Sequence, residues 1–343
     1  MTPNIERTQK KMLKTPLQNW KNVVEENNVK YDEENISHGK FGEVIIGKVS
    51  PFHLKFSSPN IALKTQYITK PKDLSDTSYR ELLILQELKK LKENHSCPGF
   101  ITIYDWFKTK GNLDEYEEDN SYMNLVLEKA DITLKKFLLN QNYQIPLNLY
   151  KNILFQMLYA LSLSQEICEF IHHDLHFDNI MLKFYKNETK TEFNFKNQKY
   201  HLETDFLIKI TDFGLSRIKN VENDKIIFNP KLGKFFDPSI DVNQIGRELK
   251  KIKIIFQENE MEEKLKLSAL KRKMNRNIVN ATELLSHSFF DSLKSQFDFN
   301  DEIPFKFGME IEKEEKLNVI LFENKENVFR NQTIVKTRRG KQK

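Results

Sequence analysis

Extended patterns dominate the first third of the chain. Residues 29–37, 43–49 and 60–67 have the character of β-strands and are separated by stretches rich in turn-forming residues. A further short apolar segment, 123–127, ends just before Glu128. The pattern predicts a small antiparallel sheet.

Apolar residues at helical spacing follow. In residues 78–92 three leucines recur at helical spacing among flanking charges, which predicts a helix packed on the sheet. Beyond Asp131 the period is helical, most clearly in residues 147–170, where four apolar side chains share one face. A second, helical lobe is therefore expected to begin near this point.

A polar stretch rich in Asn, Lys and Thr, residues 183–205, lies between two apolar runs and predicts an inserted hairpin. Together the patterns predict an α+β fold with a small antiparallel-sheet N-lobe and a mainly helical C-lobe. The expected parts are a basic polar N-terminal segment 1–28, an N-lobe 29–129, a C-lobe 130–294, and a C-terminal appendage 295–343 with a basic tail.

Composition adds limits to this picture. Hydrophobic residues make up 39% and aromatic residues 11% of the 343 residues, enough to build a sizeable core. No stretch approaches the roughly 18 uncharged apolar residues that a membrane span needs, and the polar start of the chain lacks the apolar core of a signal peptide. We therefore expect an intracellular protein without a membrane partner.

Cysteine and charge placement give two further expectations. Cys97 and Cys168 lie far apart without a Cys-x-x-Cys partner, so buried thiols are expected instead of a disulfide framework or a zinc site. The formal charge of +5 is concentrated at the two ends of the chain. These ends are either solvated tails or signals for nuclear targeting or weak nucleic-acid contact, and the basic C-terminus favours the nucleus over the cytoplasm.

Two of only ten glycines, Gly39 and Gly42, fall between the first two predicted strands. A loop that closes over a triphosphate needs residues without bulk, so that its amides can approach the phosphate oxygens. Phe41 at the tip would shield such a site from water. A plain tight hairpin places glycines similarly, so this segment alone does not decide between the two.

The third predicted strand carries Ala62 and Lys64 on one face. A small residue there leaves room for adenine, and a lysine can bridge the α- and β-phosphates if a carboxylate holds its charge. Glu81 on the following helix is the best-placed carboxylate, and Glu87 is the second. Most single lysines are simply solvated, so this prediction depends on the other motifs.

The strongest signal is the segment 172–179, His-His-Asp-Leu-His-Phe-Asp-Asn, followed after the insert by Thr-Asp-Phe-Gly at 211–214. Phosphoryl transfer concentrates negative charge, so the site needs oxygen ligands for magnesium, here Asn179 and Asp212. It also needs a carboxylate, here Asp174, that orients the attacking hydroxyl. The segment predicts an enzyme that uses ATP and Mg²⁺.

Three histidines of this segment have different expected roles. His176 is expected to place a donor near the γ-phosphate, and His172 to pack under Phe213. Zinc binding by His172, His173 and His176 is an alternative, but it leaves the downstream Asp-Phe-Gly unexplained.

In this order, the motifs of residues 29–294 resemble those of the eukaryotic protein kinase family. The resemblance implies a bilobal kinase fold, ATP and Mg²⁺ as cofactors, and a protein as the substrate. It also implies that Leu127 is the gatekeeper, that Glu128 to Ala130 form the adenine-binding hinge, and that Asp241 braces the catalytic loop.

The expected catalytic residues are Asp174, Lys64, His176 and Glu81, and the expected metal ligands are Asn179 and Asp212. The residues expected to surround the nucleotide are Ser37, Gly39, Phe41, Gly42, Val44, Ala62, Lys64, Leu127, Glu128 and Ala130.

Several positions depart from the family pattern, and these departures indicate which kinases within the family the chain resembles. Ser37 replaces the first loop glycine, His173 the usual arginine, and His176 the usual lysine. No Ala-Pro-Glu follows Asp212 before Asp241, so a short activation segment is expected. Because that arginine normally receives an activation-loop phosphate, its replacement by histidine predicts activity without loop phosphorylation.

The histidine after Asp-Leu, the insert, the missing Ala-Pro-Glu, Pro-Gly-Phe-Ile at 98–101 and the closing segment 281–289 resemble haspin-type kinases. That resemblance implies a serine/threonine kinase acting on a basic histone tail. Haspins usually lack Asp-Phe-Gly, however, and kinases of large DNA viruses share the Asp-Leu-His and insert features. We expect the protein to be a monomer.

Two other functions stay open. Small-molecule kinases of the aminoglycoside or choline type also use His-x-Asp-Leu-His-x-x-Asn and lack Ala-Pro-Glu. The glycine loop with Phe41 and the Asp-Phe-Gly-Leu-Ser run favour a protein kinase instead. A pseudokinase scaffold is the second alternative, against which Lys64 and the magnesium-site residues argue.

Overall fold

Five antiparallel strands form the N-terminal sheet of the computed structural model: β1 (Val29–Gly39), β2 (Gly42–Val49), β3 (Asn60–Tyr67), β4 (Ile103–Gly111) and β5 (Asn120–Glu128). Their spatial order is β1-β2-β3-β5-β4. The three N-terminal strands match the predicted segments to within two residues. The edge strand β4 was not predicted.

The structure describes residues 29–39, 42–49, 60–70, 72–111, 120–275 and 279–294. The predictions for Phe41, for the N-terminal segment and for the C-terminal appendage lie outside these residues. All described residues belong to one compact unit.

Helix α1 (Thr77–His95) connects β3 to β4 and packs on the sheet, as the leucine spacing predicted. It begins after Asp76, whose side chain accepts a hydrogen bond from the N–H of Tyr79 and so caps the first turn. It ends at Ser96, which has a left-handed backbone with φ of 53°. These two signals mark where α1 begins and ends.

The C-terminal region is mainly helical and is built around α3 (Leu147–Cys168), much of which is fully buried. The other helices are α2 (Leu134–Asn140), α4 (Ser239–Leu249), α5 (Met261–Met274) and α6 (Ala281–Leu285). Short 3₁₀ turns occur at Phe177–Asn179, Glu258–Glu260 and Ser288–Leu293. The predicted α+β fold, with an antiparallel N-terminal sheet and a helical C-terminal region, is confirmed.

The predicted insert is the outer part of one long hairpin. Strands β8 (Ile180–Phe195) and β9 (Gln198–Ile210) pair along their length, with an irregularity between Phe184 and Thr189. Apolar side chains near its tip pack on Phe155 and Tyr159 of α3, at ring centroid distances down to 4.9 Å. The hairpin is therefore anchored to the core of the C-terminal region.

Shorter strands complete the fold: β6 (Ile132–Thr133) pairs with β8, β7 (Gln144–Pro146) with β12 (Lys253–Ile255), and β10 (Ile218–Lys219) with β11 (Ile226–Ile227). Cys97 and Cys168 are free, buried thiols, as predicted. Among the helices of the described residues, none combines the length and the apolar character that a membrane crossing needs.

Candidate active site

Lys64 of β3 lies between two carboxylates that come from distant parts of the chain. Its Nζ donates to both carboxylate oxygens of Glu81 at 2.8 Å and to Oδ1 of Asp212 at 2.9 Å. Burial alone would lower the pKa of Lys64, but the two carboxylates raise it above its ordinary value. The runner-up carboxylate, Glu87, instead lies 3.2 Å from Lys90.

Glu81 joins three elements at one point. Besides Lys64, its carboxylate accepts hydrogen bonds from Nε2 of Gln66 at 2.6 Å and from the N–H of Phe213 at 3.3 Å. Its side chain is 1% exposed. Because each carboxylate oxygen has partners, the buried charge is compensated and α1 is held against both β3 and the Asp-Phe-Gly turn.

Asp212 adopts a left-handed backbone conformation with φ of 67°. Burial opposes its ionisation, but the ammonium of Lys64 outweighs this effect and lowers the pKa of Asp212 below its ordinary value. The next residue, Phe213, is fully buried against the rings of His172, Phe170 and Phe100. A packed aromatic residue thus fixes the neighbouring carboxylate.

A hydrogen-bonded chain connects Asp174, Asn179 and Asp212. Nδ2 of Asn179 donates to the backbone carbonyl of Asp174 at 2.9 Å. The N–H of Thr211 donates to the carbonyl of Asn179 at 3.0 Å, which places Asp212 one residue further along. The side chain of Asp174 is 44% exposed and open to an incoming group. The structure therefore brings the three residues of the predicted site together.

His176 lies beside these groups. Its Nε2 is 3.6 Å from Oδ2 of Asp174 and 3.3 Å from Nδ2 of Asn179. Its Nδ1 accepts from the N–H of Asp178 at 3.3 Å. The other ring nitrogen, Nε2, therefore lies next to any group bound beside Asp174.

The donor atoms suit magnesium better than zinc. Asn179 and Asp212 offer hard oxygen ligands, and Mg²⁺ is typically held by one or two carboxylates together with substrate phosphates and waters. In the described part of the chain, no group of three or more His, Cys, Asp and Glu side chains could hold a metal ion. The zinc alternative for His172, His173 and His176 therefore has no support from the geometry.

Asp241 of α4 supports the loop from below. Its carboxylate accepts the backbone N–H groups of His172 at 2.8 Å and His173 at 3.1 Å. Burial raises its pKa to about 7, while the two N–H donors act in the opposite direction. The predicted position of Asp241 under the catalytic loop agrees with these contacts.

Sequence reasoning missed Gln244, one helical turn after Asp241. Its Nε2 donates to the carbonyl of His173 at 2.7 Å, and its Oε1 accepts the N–H of Leu175 at 2.8 Å. These two bonds hold the backbone on either side of Asp174. The only sequence signal is the spacing of three residues, which puts both side chains on one face of a helix.

The residues predicted to surround the nucleotide lie along the register of β1, β2, β3 and β5. Ala62 pairs with Leu127, Val44 with Lys64, and Ser37 with Val44. Gly39 pairs with Gly42 at the end of the β1–β2 hairpin. The two residues between them, 40 and 41, are not among those that the structure describes. Ala130 is buried just after the end of β5.

Glu128 has a second set of contacts that the sequence did not predict. Its side chain is directed at Lys183 and Lys209 of the β8–β9 hairpin, at 2.7 and 3.1 Å. Burial alone would raise the pKa of Glu128, but Lys209 and Lys183 lower it to about 2. Only its backbone is therefore available for the predicted hinge contact with adenine.

The buried His172 is expected to make the free energy of unfolding depend on pH. Burial lowers its pKa to about 4, its Nε2–H donates to the carbonyl of Thr211 at 2.9 Å, and its Nδ1 accepts the N–H of Asp174. Because the folded pKa lies below the unfolded value of 6.5, the unfolded state binds more protons between these pH values. Stability is therefore lost as pH falls from 6.5 towards 4.

His172→Phe should remove this term, so its stability should fall less steeply over this window. The difference in slope approaches about 1.4 kcal/mol per pH unit. Urea unfolding of both proteins at pH 7, 6, 5.5 and 5 measures it. The variant is expected to be less stable at pH 7 because two hydrogen bonds are lost, and parallel pH curves would count against this origin of the acid sensitivity.

Comparison with known proteins was consistent with this geometry. Residues 32–231, more than half of the chain, match the family described as the protein kinase domain. The matched range contains Lys64, Glu81, Asp174, Asn179 and Asp212.

A curated relative gives a second match. It is a probable serine/threonine-protein kinase of Dictyostelium discoideum, 28% identical over 272 aligned residues. The alignment covers 56% of this chain and 22% of the relative. The chain therefore spans less than a quarter of that protein.

Proposed function

Because this chain belongs to the protein kinase family, we propose that it transfers the γ-phosphate of ATP to a serine or threonine hydroxyl of a protein. The observation that supports this most is the position of Lys64, 2.8 Å from Glu81 and 2.9 Å from Asp212. A lysine held in this way can bind the α- and β-phosphates of a nucleotide.

In the proposed reaction, ATP supplies the phosphoryl group and Mg²⁺ neutralises the charge that develops on its oxygens. Lys64 binds the non-transferred phosphates, and Glu81 keeps its ammonium in place. Asn179 and Asp212 provide the protein ligands of the metal. Since little covalent chemistry is required of the protein, positioning and charge stabilisation account for most of the catalysis.

Asp174 acts on the acceptor. Its exposed carboxylate orients the attacking hydroxyl and accepts its proton, while its backbone is held by His172 and Asn179. His176, whose Nε2 lies 3.6 Å from Oδ2 of Asp174, would contact the γ-phosphate oxygens of a bound nucleotide. Gln244 and Asp241 fix the loop from the opposite side through backbone bonds.

For the acceptor, we propose a basic histone tail, and the support is the resemblance to haspin-type kinases. The carboxylate of Asp174 is 44% exposed, which favours a positively charged peptide. The basic residues at the C-terminus, residues 336–343, support action in the nucleus, and deleting them before localisation tests this part. We propose that the protein acts as a monomer.

The experiment that tests this function combines the purified protein, γ-labelled ATP, Mg²⁺ and a nuclear extract with added histones. The proposed function predicts label on serine or threonine, and the haspin-type proposal predicts label on a histone. Label that appears only on extract proteins other than histones would contradict the histone proposal. Binding of ATP and Mg²⁺ without transfer to any protein would favour the pseudokinase alternative.

The activation segment leads to a separate prediction about phosphorylation. Arg217 is buried, and its guanidinium donates to Oε2 of Glu169 and to the carbonyl of Lys234, both at 2.8 Å. These bonds of Arg217 hold the segment without a phosphate group. His173, at the usual arginine position, has a buried Nε2 with no hydrogen-bond partner among the described residues.

Phosphatase treatment is therefore expected to change kcat by less than about twofold, because the bonds of Arg217 to Glu169 and Lys234 already order the segment. The comparison uses protein freed of phosphate, checked by intact mass, and a sample treated with heat-inactivated phosphatase. A loss of most of the activity in the first sample alone would refute the prediction.

A further inference from the structure

Arg80 is a buried arginine in the first turn of α1, directly before Glu81. It is 1% exposed. Its Nε donates to the carbonyl of Gly214 at 2.8 Å, its Nη2 donates to the same carbonyl, and its Nη1 donates to the carbonyl of Leu74. Burying a guanidinium costs free energy unless its N–H donors have acceptors, and these carbonyls provide them. The hydrogen bonds therefore hold the Arg80 side chain in one position.

Gly214 receives these bonds because α1 approaches it very closely. A Cβ added at Gly214 would lie 2.6 Å from Cγ2 of Thr77, in the same helical turn as Arg80. The backbone of Gly214 has no positive φ, so an alanine there would meet a steric conflict and no backbone strain. Glycine is therefore required here by the close approach of α1 and not by an unusual backbone conformation.

The contacts form a closed ring around the proposed phosphate-binding lysine. Arg80 precedes Glu81, Gly214 follows Asp212 by two residues, and both carboxylates bind Lys64. If the first turn of α1 moved away from Gly214, Glu81 would be displaced from Lys64 as well. A displacement of about 1 Å at a catalytic group can lower the rate by about 10²-fold.

We propose that Arg80 is a positioning residue that sets the distance between α1 and the Asp-Phe-Gly turn, and through it the orientation of Lys64 and Asp212. This proposal rests on the proposed kinase function. Arg80 acts through Gly214 and Glu81, and it has no direct role towards the nucleotide or the acceptor. The proposal assigns the closeness of α1 and the turn to two features of the chain itself, the Arg80 guanidinium and the absence of a side chain at Gly214.

Arg80→Met is expected to lower kcat by about 10- to 100-fold and to change the KM for ATP by less than about threefold. Arg80→Lys should be intermediate, because one ammonium can still reach the Gly214 carbonyl without the planar fork that binds two carbonyls at once. Arg272→Met, at an exposed arginine of α5, is the matched control and should behave as the unaltered protein.

A second pair of variants keeps the test independent of the cost of removing a buried arginine. Gly214→Ala should lower kcat to a similar extent, because its methyl group displaces Thr77. Adding Thr77→Ser removes Cγ2 but keeps the hydroxyl that faces Arg80 at 3.4 Å, so the double variant should recover most of the lost kcat. Recovery in the double variant would trace the lost kcat to the close approach of these two residues.

Steady-state kinetics of all variants, with thermal unfolding as a check on folding, decides the matter. If Arg80→Met does not fold, the Gly214 pair carries the test. Kinetics of Arg80→Met and Gly214→Ala equal to those of the unaltered enzyme, or failure of Thr77→Ser to restore kcat in Gly214→Ala, would overturn the positioning role. An unaltered protein with no transferase activity would instead refute the proposed function.

Discussion

Asp212→Asn is expected to abolish phosphoryl transfer, with kcat at least about 10³-fold lower. The substitution keeps the size of the side chain but removes the negative charge that the metal requires. The carboxylate lies 2.9 Å from Lys64, and Lys64 keeps both bonds to Glu81 after the change. The loss should therefore concern the metal and the reaction, and the fold should remain.

The matched control is Asp224→Asn, which makes the same charge change at an exposed residue of the same segment. Its kcat should stay within about twofold of the unaltered enzyme, since an exposed ion pair contributes little. Initial rates at several Mg²⁺ concentrations separate the two variants. Substantial transfer by Asp212→Asn at saturating Mg²⁺ would exclude Asp212 as the essential metal ligand.

Asp174→Asn is expected to lower kcat by about 10²-fold or more while the affinity for ATP is retained. An amide can still hydrogen-bond to the acceptor hydroxyl, but it cannot take its proton. The backbone N–H and carbonyl of Asp174 bind His172 and Asn179, and the substitution leaves both bonds in place. Nucleotide binding should not change, because Lys64 and Asp212 are untouched.

Asp178→Asn provides the control in the same loop. Asp178 is similarly exposed and lies 2.8 Å from Lys135, so its loss should change kcat by less than about threefold. Transfer rates at saturating ATP, with nucleotide affinity from titration calorimetry, give the comparison. Equal rates for Asp174→Asn and the unaltered protein would remove Asp174 from the mechanism.

Sequence patterns predicted the elements whose burial alternates strongly. The strand of residues 60–67 and the leucine spacing of α1 were recognised because buried and exposed positions follow one period. Strand β4 was missed because several of its central side chains are exposed. Few of its positions face the core, so its alternation of apolar and polar residues is weak.

The contacts of polar residues with partners distant in sequence could not be predicted from the sequence. Arg80 and Gln244 lie on helices and have the pattern of solvated positions, but tertiary contacts bury the first and give the second two backbone partners. Lys209 alternates along β9 like any strand residue, and only the fold reveals its pairing with Glu128. Such contacts depend on which segments meet, which local patterns do not specify.

Motifs predicted the site itself more completely. Phosphoryl transfer restricts the usable residue types, so Lys64, Asp174, Asn179 and Asp212 could be singled out by type and order. The structure brings these four residues together from both parts of the fold. Their roles in catalysis are proposals that the variants above test.

The most direct test of the central claim is affinity labelling with an acyl phosphate of ATP, which acylates amines next to the bound phosphates. We predict that mass spectrometry finds the label on Lys64, and that added ATP with Mg²⁺ protects this lysine. The surface lysines Lys231 and Lys234 serve as internal references, whose labelling ATP should not change. ATP-protected labelling at other lysines, with Lys64 unlabelled, would contradict the claim that Lys64 faces the nucleotide phosphates.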